Sequence, residues 1–323
     1  MMRILVTGGT GLVGTSLNEN VNSIFFQFEN KFKFVSSKDA NLMVKSEVDN
    51  LFKNNKYDAI IHLAAHVGGL YKNMNSNIDM YQNNMCINKN IIEACHENNV
   101  KRGIFCLSSC VFPAYPSSFP MTEEFLHCGK PHESNYGYAH AKRQLEVMCQ
   151  LYNTSYNRNY ICVSPVNLYG SHDNFSIDDG HFVPSAIHRM YNSKLENKRW
   201  FSVYGTGNAF RQFLYAPDFA RAIVTILFDN SIKDGVFNIC ETKQDGTIPE
   251  YRVIDVIKMI SNSLDFSQEN INYDLQKSDG VMKKTVSGKK FIDKYPEFEF
   301  TPLEEGIKTT VKWMVDNFDD IRK

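Results

Sequence analysis

The octapeptide Thr7-Gly8-Gly9-Thr10-Gly11-Leu12-Val13-Gly14 constrains this chain more than any other stretch. Residues 3–7 are apolar and β-branched and read as a buried strand, and an amphipathic pattern opens at Leu12. Between them stand Gly8, Gly11 and Gly14, three apart. At such a strand-to-helix turn the first glycine permits the tight bend and the second lets backbone approach a pyrophosphate. The third lets helix and strand pack closely. The helix start offers unpaired N–H groups and a positive dipole end to phosphates. The context predicts a dinucleotide site; a glycine-rich turn without a ligand is the alternative.

The chain beyond supports a Rossmann-type α/β sheet. Apolar strands are expected at 32–35, 58–63, 103–107 and 160–164, with helices at 47–53, 79–97 and 138–151. Continuous apolar strands alternating with helices predict a parallel sheet covered on both faces, doubly wound by right-handed crossovers. After residue 170 the rhythm changes to Gly-, Asn- and Asp-rich loops, short strands at 201–204, 236–240 and 270–273, and helices near 182–193, 218–228, 249–263 and 303–318. The expected organisation is a dinucleotide domain over 1–170, with 211–235 returning to it, and a smaller α/β substrate lobe within 171–323.

Composition excludes several classes. Lys and Arg total 35 against 36 Asp and Glu, a net charge of -1, so no basic excess draws the chain to nucleic acid or an anionic membrane. No apolar run approaches the roughly 18 residues of a membrane span, and 1–7 is too short for a signal peptide. The eight cysteines are scattered with no Cys-x-x-Cys pair, which indicates neither a metal site nor a disulfide frame. A reducing cytosol is the expected compartment.

The end of the second strand decides the cofactor. Val35 is followed by Ser36, Ser37 and Lys38, where an acidic residue would bond a ribose 2′-hydroxyl. Two hydroxyls and a cation suit a 2′-phosphate and predict NADP(H). Asp39, one residue on, is expected to cap the turn or meet the adenine.

Tyr138 and Lys142 stand four apart on one helical face. A lysine ammonium beside the phenol, together with the positive nicotinamide ring, is expected to lower its pKa and let it exchange a proton with a substrate oxygen. Ser108 closes the fourth strand, in the crevice where ligands of such sheets bind, and can bond the same oxygen. Cys110 lies two residues further on and His181 just before an amphipathic helix. A thiolate can abstract a proton and an imidazole can return one near neutrality. Taken singly, a buried structural cysteine and a helix-start histidine are the plain alternatives.

Longer blocks carry a resemblance: HLAAHVGGLYKN (62–73), LSSCVFP (107–113), NYGYAHAK (135–142), NLYGSHDNF (167–175), DGHFVPSAIHR (179–189), YGTGNAFRQFLY (204–215), and KSDG with KKT (277–285). Over essentially its whole length the chain resembles the GDP-L-fucose synthases, extended short-chain dehydrogenases/reductases. The resemblance implies a GDP-4-keto-6-deoxy-D-mannose substrate, epimerised at C3 and C5 and then reduced at C4 by NADPH. It implies catalysis by Tyr138, Lys142, Ser108, Cys110 and His181. It implies cofactor contacts from Gly8, Thr10, Gly11, Leu12, Val13 and Gly14, from Ser36, Ser37, Lys38 and Asp39, and from Leu63, Ala64 and Ala65. Lys142, Pro165, Asn167, Leu168 and His181 complete that set. Arg189, Tyr204, Arg211 and Asp279 are implied for the nucleotide sugar, and helices 79–97 and 136–151 for a homodimer. Two positions depart from the pattern: Tyr204 stands for a usual tryptophan and Val166 for a usual threonine.

Rival functions lack residues here. A nucleotide-sugar 4,6-dehydratase needs a carboxylate beside its catalytic hydroxyl, and none follows Ser108 until Glu123. A plain C4-epimerase has no use for Cys110 and His181. A dinucleotide-binding sensor would not keep Tyr138, Lys142 and Ser108 together.

Overall fold

The computed structural model describes residues 2–24, 31–53, 55–198, 200–276, 279 and 281–323, and the side chains of all of these but 22–24, 70 and 71. Its first half runs β1 (Arg3–Thr7), α1 (Leu12–Ile24), β2 (Lys31–Val35), α2 (Lys45–Lys53), β3 (Ala59–His62), α3 (Leu70–Asn75), α4 (Asn77–Glu97), β4 (Arg102–Cys106), α5 (Tyr136–Tyr156) and β5 (Asn159–Pro165). Then follow β6 (Asn167–Tyr169), α6 (Phe182–Leu195), β7 (Phe201–Tyr204), β8 (Phe210–Arg211), β9 (Phe213–Tyr215), α7 (Ala216–Phe228) and β10 (Val236–Ile239). The chain ends with β11 (Tyr251–Arg252), α8 (Val253–Ser263), β12 (Ile271–Asp274), α9 (Lys289–Lys294) and α10 (Leu303–Asp316).

All four residues of β3 are buried, a pattern only an interior strand with both faces covered can satisfy. β3 lies inside a six-stranded sheet of order β10-β5-β4-β3-β1-β2. Every pairing in it is parallel. From β1 the chain steps outward to β2, then returns across β1 to β3. This reversal opens a crevice at the carboxyl ends of β1 and β3, where Thr7 and His62 stand in register. The sheet's core joins Ile4, Ile60, Ile104 and Val163 to Phe219 and Ile223 of α7. A second core lies under α6, α8 and α10, around Ile187, Ile257, Ile260 and Ile307. Among the described residues no helix is long and apolar enough to cross a membrane.

One expectation is corrected. Residues 236–240 read as a strand of the second lobe, yet β10 is the edge strand of the large sheet, with Val236 opposite Cys162. Its position follows from α7, which packs on α1 and β4 and so delivers the chain to the free edge of β5. The returning segment is therefore shifted from 211–235. It begins at Ala216 and includes β10, while Arg211 pairs with Tyr251 in a separate two-stranded sheet. Buried Arg102 anchors the return. Its guanidinium donates to the carbonyls of Ile226, Leu227, Asp229 and Ile232, satisfying the end of α7 and the turn beyond it.

Candidate active site

The glycine turn is built as its spacing requires. Gly8 adopts φ +73°, and a Cβ there would stand 2.8 Å from the Ala64 nitrogen on the loop after β3. A Cβ at Gly14 would stand 2.3 Å from the Gly8 carbonyl oxygen, so only glycine lets α1 sit this close to the turn that follows β1. Gly11 differs: a Cβ there would meet only the Gly8 oxygen, at 3.3 Å, and otherwise faces open space. Thr10 is exposed at the rim, Leu12 and Val13 begin α1, and the first turn of α1 holds no acidic residue. A close-packed turn with one open glycine under a helix N-terminus fits a pyrophosphate. Leu63, Ala64 and Ala65 border the crevice from β3. Pro165 closes β5, and Asn167 and Leu168 open β6, with the Asn167 amide donating to the Gln212 carbonyl at 2.7 Å.

At the end of β2, Asp39 caps the turn. Its Oδ2 accepts from the Ser36 amide at 2.8 Å and from the Ser36 hydroxyl at 2.9 Å. These bonds hold the Asp39 carboxyl below its ordinary range. The Ser36 hydroxyl is thus already engaged, while Ser37 and Lys38 are exposed beside the equally exposed Asp39.

The reacting residues gather at the carboxyl end of β4. Ser108 Oγ accepts from the Cys110 amide at 3.3 Å and so caps the short turn 109–111. Lys142 is buried on α5, and its ammonium donates to the Cys106 carbonyl at 2.7 Å and lies 5.8 Å from the Tyr138 ring centre. Burial lowers the Lys142 pKa, against the pull of the nearby thiols of Cys106, Cys110 and Cys162. Without the nicotinamide ring on which the expectation also rests, the protein alone does not lower the Tyr138 pKa. Desolvation pushes the phenol well above its ordinary value, with Cys110 and Cys106 adding to the rise, so Tyr138 holds its proton at neutrality.

Cys110 is 5% exposed, and burial pushes its thiol up. The Lys284 charge, the Ser108 hydroxyl, Lys142 and Arg143 oppose this only in part, so the thiol stays above its ordinary value. Lys284 was not among the expected site residues. It arrives from residues 281–287, which thread between β8 and the loop before α5: Phe210 bridges to Lys283, and Met121 to Val286. Its pKa is lowered by burial, Cys110 favours its charge, and Arg211 opposes it. The Lys-Lys-Thr block at 283–285 was the available signal.

The sugar-nucleotide residues form a second group. The Arg189 guanidinium stacks on Tyr204, 4.5 Å from its ring centre, and on Phe201 at 5.1 Å. Arg211 donates to the carbonyls of Phe210 and Val281 at 2.8 and 2.5 Å, and to that of Asp279 at 3.2 Å. Both Asp279 carboxylate oxygens accept from Thr206, its amide at 2.8 Å and its hydroxyl at 2.9 Å. Asp279 thus holds the loop of Gly205, which takes φ +73° beneath it. Lys277, Ser278 and Gly280 of the same motif lie outside the described residues.

His181 is the N-cap of α6, on a different element from the thiol and the phenol. The structure ties it to the crevice through backbone: the Gly69 amide, on the loop after β3, donates to the Asp179 carbonyl at 3.0 Å. The residue is exposed as a whole, yet desolvation and then the Arg322 charge lower the pKa of its imidazole.

Comparison with known proteins agrees with this geometry. Residues 4–240 match the model of the NAD dependent epimerase/dehydratase family. A probable GDP-L-fucose synthase of Drosophila melanogaster is 37% identical, with 100% of each chain covered. A GDP-L-fucose synthase of Dictyostelium discoideum is 36% identical over 99% of this chain and 97% of its own. The crystal structure of a GDP-L-fucose synthetase from Naegleria fowleri bound to NADP superposes with a TM-score of 0.91 at 37% identity, covering 100% of this chain and 95% of that one. A glycine turn, a Ser-Tyr-Lys group and a cysteine, joined to full-length similarity of this kind, place the chain in the NAD dependent epimerase/dehydratase family and, within it, among the GDP-L-fucose synthases.

Proposed function

We propose that this chain converts GDP-4-keto-6-deoxy-D-mannose to GDP-L-fucose by epimerising C3 and C5 and then reducing the C4 ketone with NADPH. The gathering of Ser108, Cys110, Tyr138 and Lys142 at one corner of the sheet, with Lys284 and Arg211 beside them, carries the reading. A C4 ketone acidifies the C–H bonds at C3 and C5, so inversion needs only a base and an acid. Cys110 is the base; burial favours its thiol form, and the Lys284 charge, the Ser108 hydroxyl and Lys142 are the groups that favour the thiolate. His181 is the acid, and its lowered pKa makes it the stronger donor once protonated.

Tyr138, protonated at neutrality, gives its proton to the C4 oxygen, and the Ser108 hydroxyl bonds that oxygen. When bound, NADPH supplies the hydride for C4. The glycine turn with Thr10, Leu12 and Val13 would hold it, together with residues 63–65, Pro165, Asn167, Leu168 and Lys142. Ser37 and Lys38 would take its 2′-phosphate. Arg189, Tyr204 and Arg211 would hold the GDP, with Asp279 shaping the loop around it.

The test is NADPH oxidation with GDP-4-keto-6-deoxy-D-mannose and analysis of the product. One equivalent of GDP-L-fucose per NADPH is expected. A sugar reduced at C4 without inversion at C3 and C5 would replace this reading with a simple reductase. No oxidation would remove it.

The same reading extends to assembly as a homodimer through α4 and α5. It is supported by the exposed Ile78 and Tyr81 on α4 and Tyr136 and Leu151 on α5. Sedimentation at the mass of one chain would end it. All eight cysteines are free thiols, which supports a reducing, cytosolic setting, testable by cell fractionation.

A further inference from the structure

One buried polar group beside the crevice has no part in this chemistry. His62 ends β3 and is 0% exposed. Its Nδ1 lies 2.7 Å from Thr7 Oγ1, and its Nε2 lies 3.2 Å from Asn88 Oδ1 on α4. The Asn88 amide nitrogen donates the other way, to the Ala141 carbonyl at 3.4 Å, so its oxygen is left to accept from His62. Nε2 therefore carries the hydrogen and Nδ1 does not. The Thr7 hydroxyl must donate to Nδ1, and its oxygen in turn accepts from the Ala64 amide at 3.3 Å. Every link runs in one direction, from Ala64 through Thr7, His62 and Asn88 to Ala141.

The two ends of this chain belong to the two sides of the cofactor crevice. Ala64 is the residue against which Gly8 turns. Ala141 immediately precedes Lys142 on α5. The imidazole packs edge-on against Phe105, with ring centres 5.9 Å apart. Burial and then the Lys142 charge hold its pKa down at about 3, so the ring is neutral and the direction of the chain is fixed. Both ring nitrogens are satisfied, as complete burial requires, and the partners that satisfy them come from β1 and α4.

We propose that His62 is a positioning residue which, through Thr7 and Asn88, fixes the 63–65 loop against the Lys142 turn of α5 and so sets the spacing of the cofactor site. The proposal rests on reading that crevice as an NADP(H) site. A buried relay of satisfied polar groups has one arrangement, whereas an apolar contact could slide.

Two measurements test it. The first is the nitrogen NMR spectrum of the cofactor-free protein, with the His62 signal assigned by its loss in His62→Gln. The Nε2–H tautomer is expected, unchanged from about pH 5 to 8. The opposite tautomer, or a ring that titrates in that range, overturns the network without any variant having to fold.

The second is NADPH affinity, read by fluorescence, in a double-mutant cycle. Thr7→Val strips the partner from both the Ala64 amide and His62, and should weaken binding about tenfold, while Thr7→Ser restores it to within about twofold. Asn88→Leu, at the α4 end, should also weaken binding about tenfold, and the double variant by much less than the product. Full multiplication of the two effects, an unaffected Asn88→Leu variant, or equal damage from Thr7→Val and Thr7→Ser overturns the role. A wild-type protein that binds no NADPH overturns the cofactor reading along with it, whereas the wrong tautomer overturns the role of His62 alone.

Discussion

Gly14→Ala gives a sharp account of how the cofactor turn is held. The added Cβ would stand 2.3 Å from the Gly8 carbonyl oxygen and 2.7 Å from the Gly9 Cα. Ordinary contact begins at 3.4 Å, so α1 must withdraw from the Gly8–Gly9 turn by 3.4 − 2.3, or about 1.1 Å. Both neighbours are backbone, and no rotamer change relieves them. Overpacking of this kind costs about 1–3 kcal/mol, and a shift of about 1 Å at a positioning element can cost about 100-fold in function. The variant should melt several degrees lower and bind NADPH about 100-fold more weakly. Gly11→Ala separates the two effects. Its Cβ meets only the Gly8 oxygen, at 3.3 Å, so the fold should survive with an almost unchanged melting temperature. It enters the space assigned to the pyrophosphate, so NADPH binding should still be lost. Fluorescence titration with NADPH and a thermal melt read both. Wild-type affinity in Gly11→Ala, or wild-type stability and affinity in Gly14→Ala, refutes the reasoning.

Two further expectations concern charge. With the Ser36 hydroxyl engaged by Asp39, Lys38 carries the 2′-phosphate preference, so Lys38→Asp should narrow the gap in kcat/KM between NADPH and NADH; equal efficiency of the wild type with both would contradict this. Asp173 is 3% exposed, with Oδ2 lacking a partner among the described residues, and burial pushes its pKa up from 3.8 to about 7. The folded chain therefore binds a proton that the unfolded chain has released, and this contribution to stability, complete below pH 3.8, is lost as pH rises through about 7. Asp173→Asn should raise the melting temperature near pH 8 and have little effect near pH 4; the reverse pattern would show that the carboxylate is compensated.

The parts of the fold and site that are local in sequence were legible there. The glycine turn, β1 to β5 and the Tyr138–Lys142 pair each depend on residues a few positions apart, whose period and spacing survive in the structure. What was missed depends on distant segments meeting. β10 reads as one more short strand until α7 carries it to the edge of β5. Lys284 is one lysine among many until 281–287 threads past β8 and brings it to Cys110. At Tyr138 the sequence shows the lysine four residues on but not the desolvation around the phenol, which depends on how the segments pack. Glu123, the first carboxylate after Ser108, accepts from the Asn238 amide at 2.7 Å, a tie to β10 that agrees with setting the dehydratase reading aside.

The division of labour between Cys110 and Tyr138 is the central claim, and hydrogen exchange tests it most directly. The 4-keto sugar would be incubated in heavy water with NADP⁺ in place of NADPH, so that no reduction can follow, and deuterium at C3 and C5 would be measured. Wild type should exchange both positions. Tyr138→Phe, which cannot reduce the ketone when given NADPH, should retain part of that exchange, and Cys110→Ala should abolish it. Exchange of both positions at the wild-type rate in Cys110→Ala would contradict the account and leave the cysteine a structural residue.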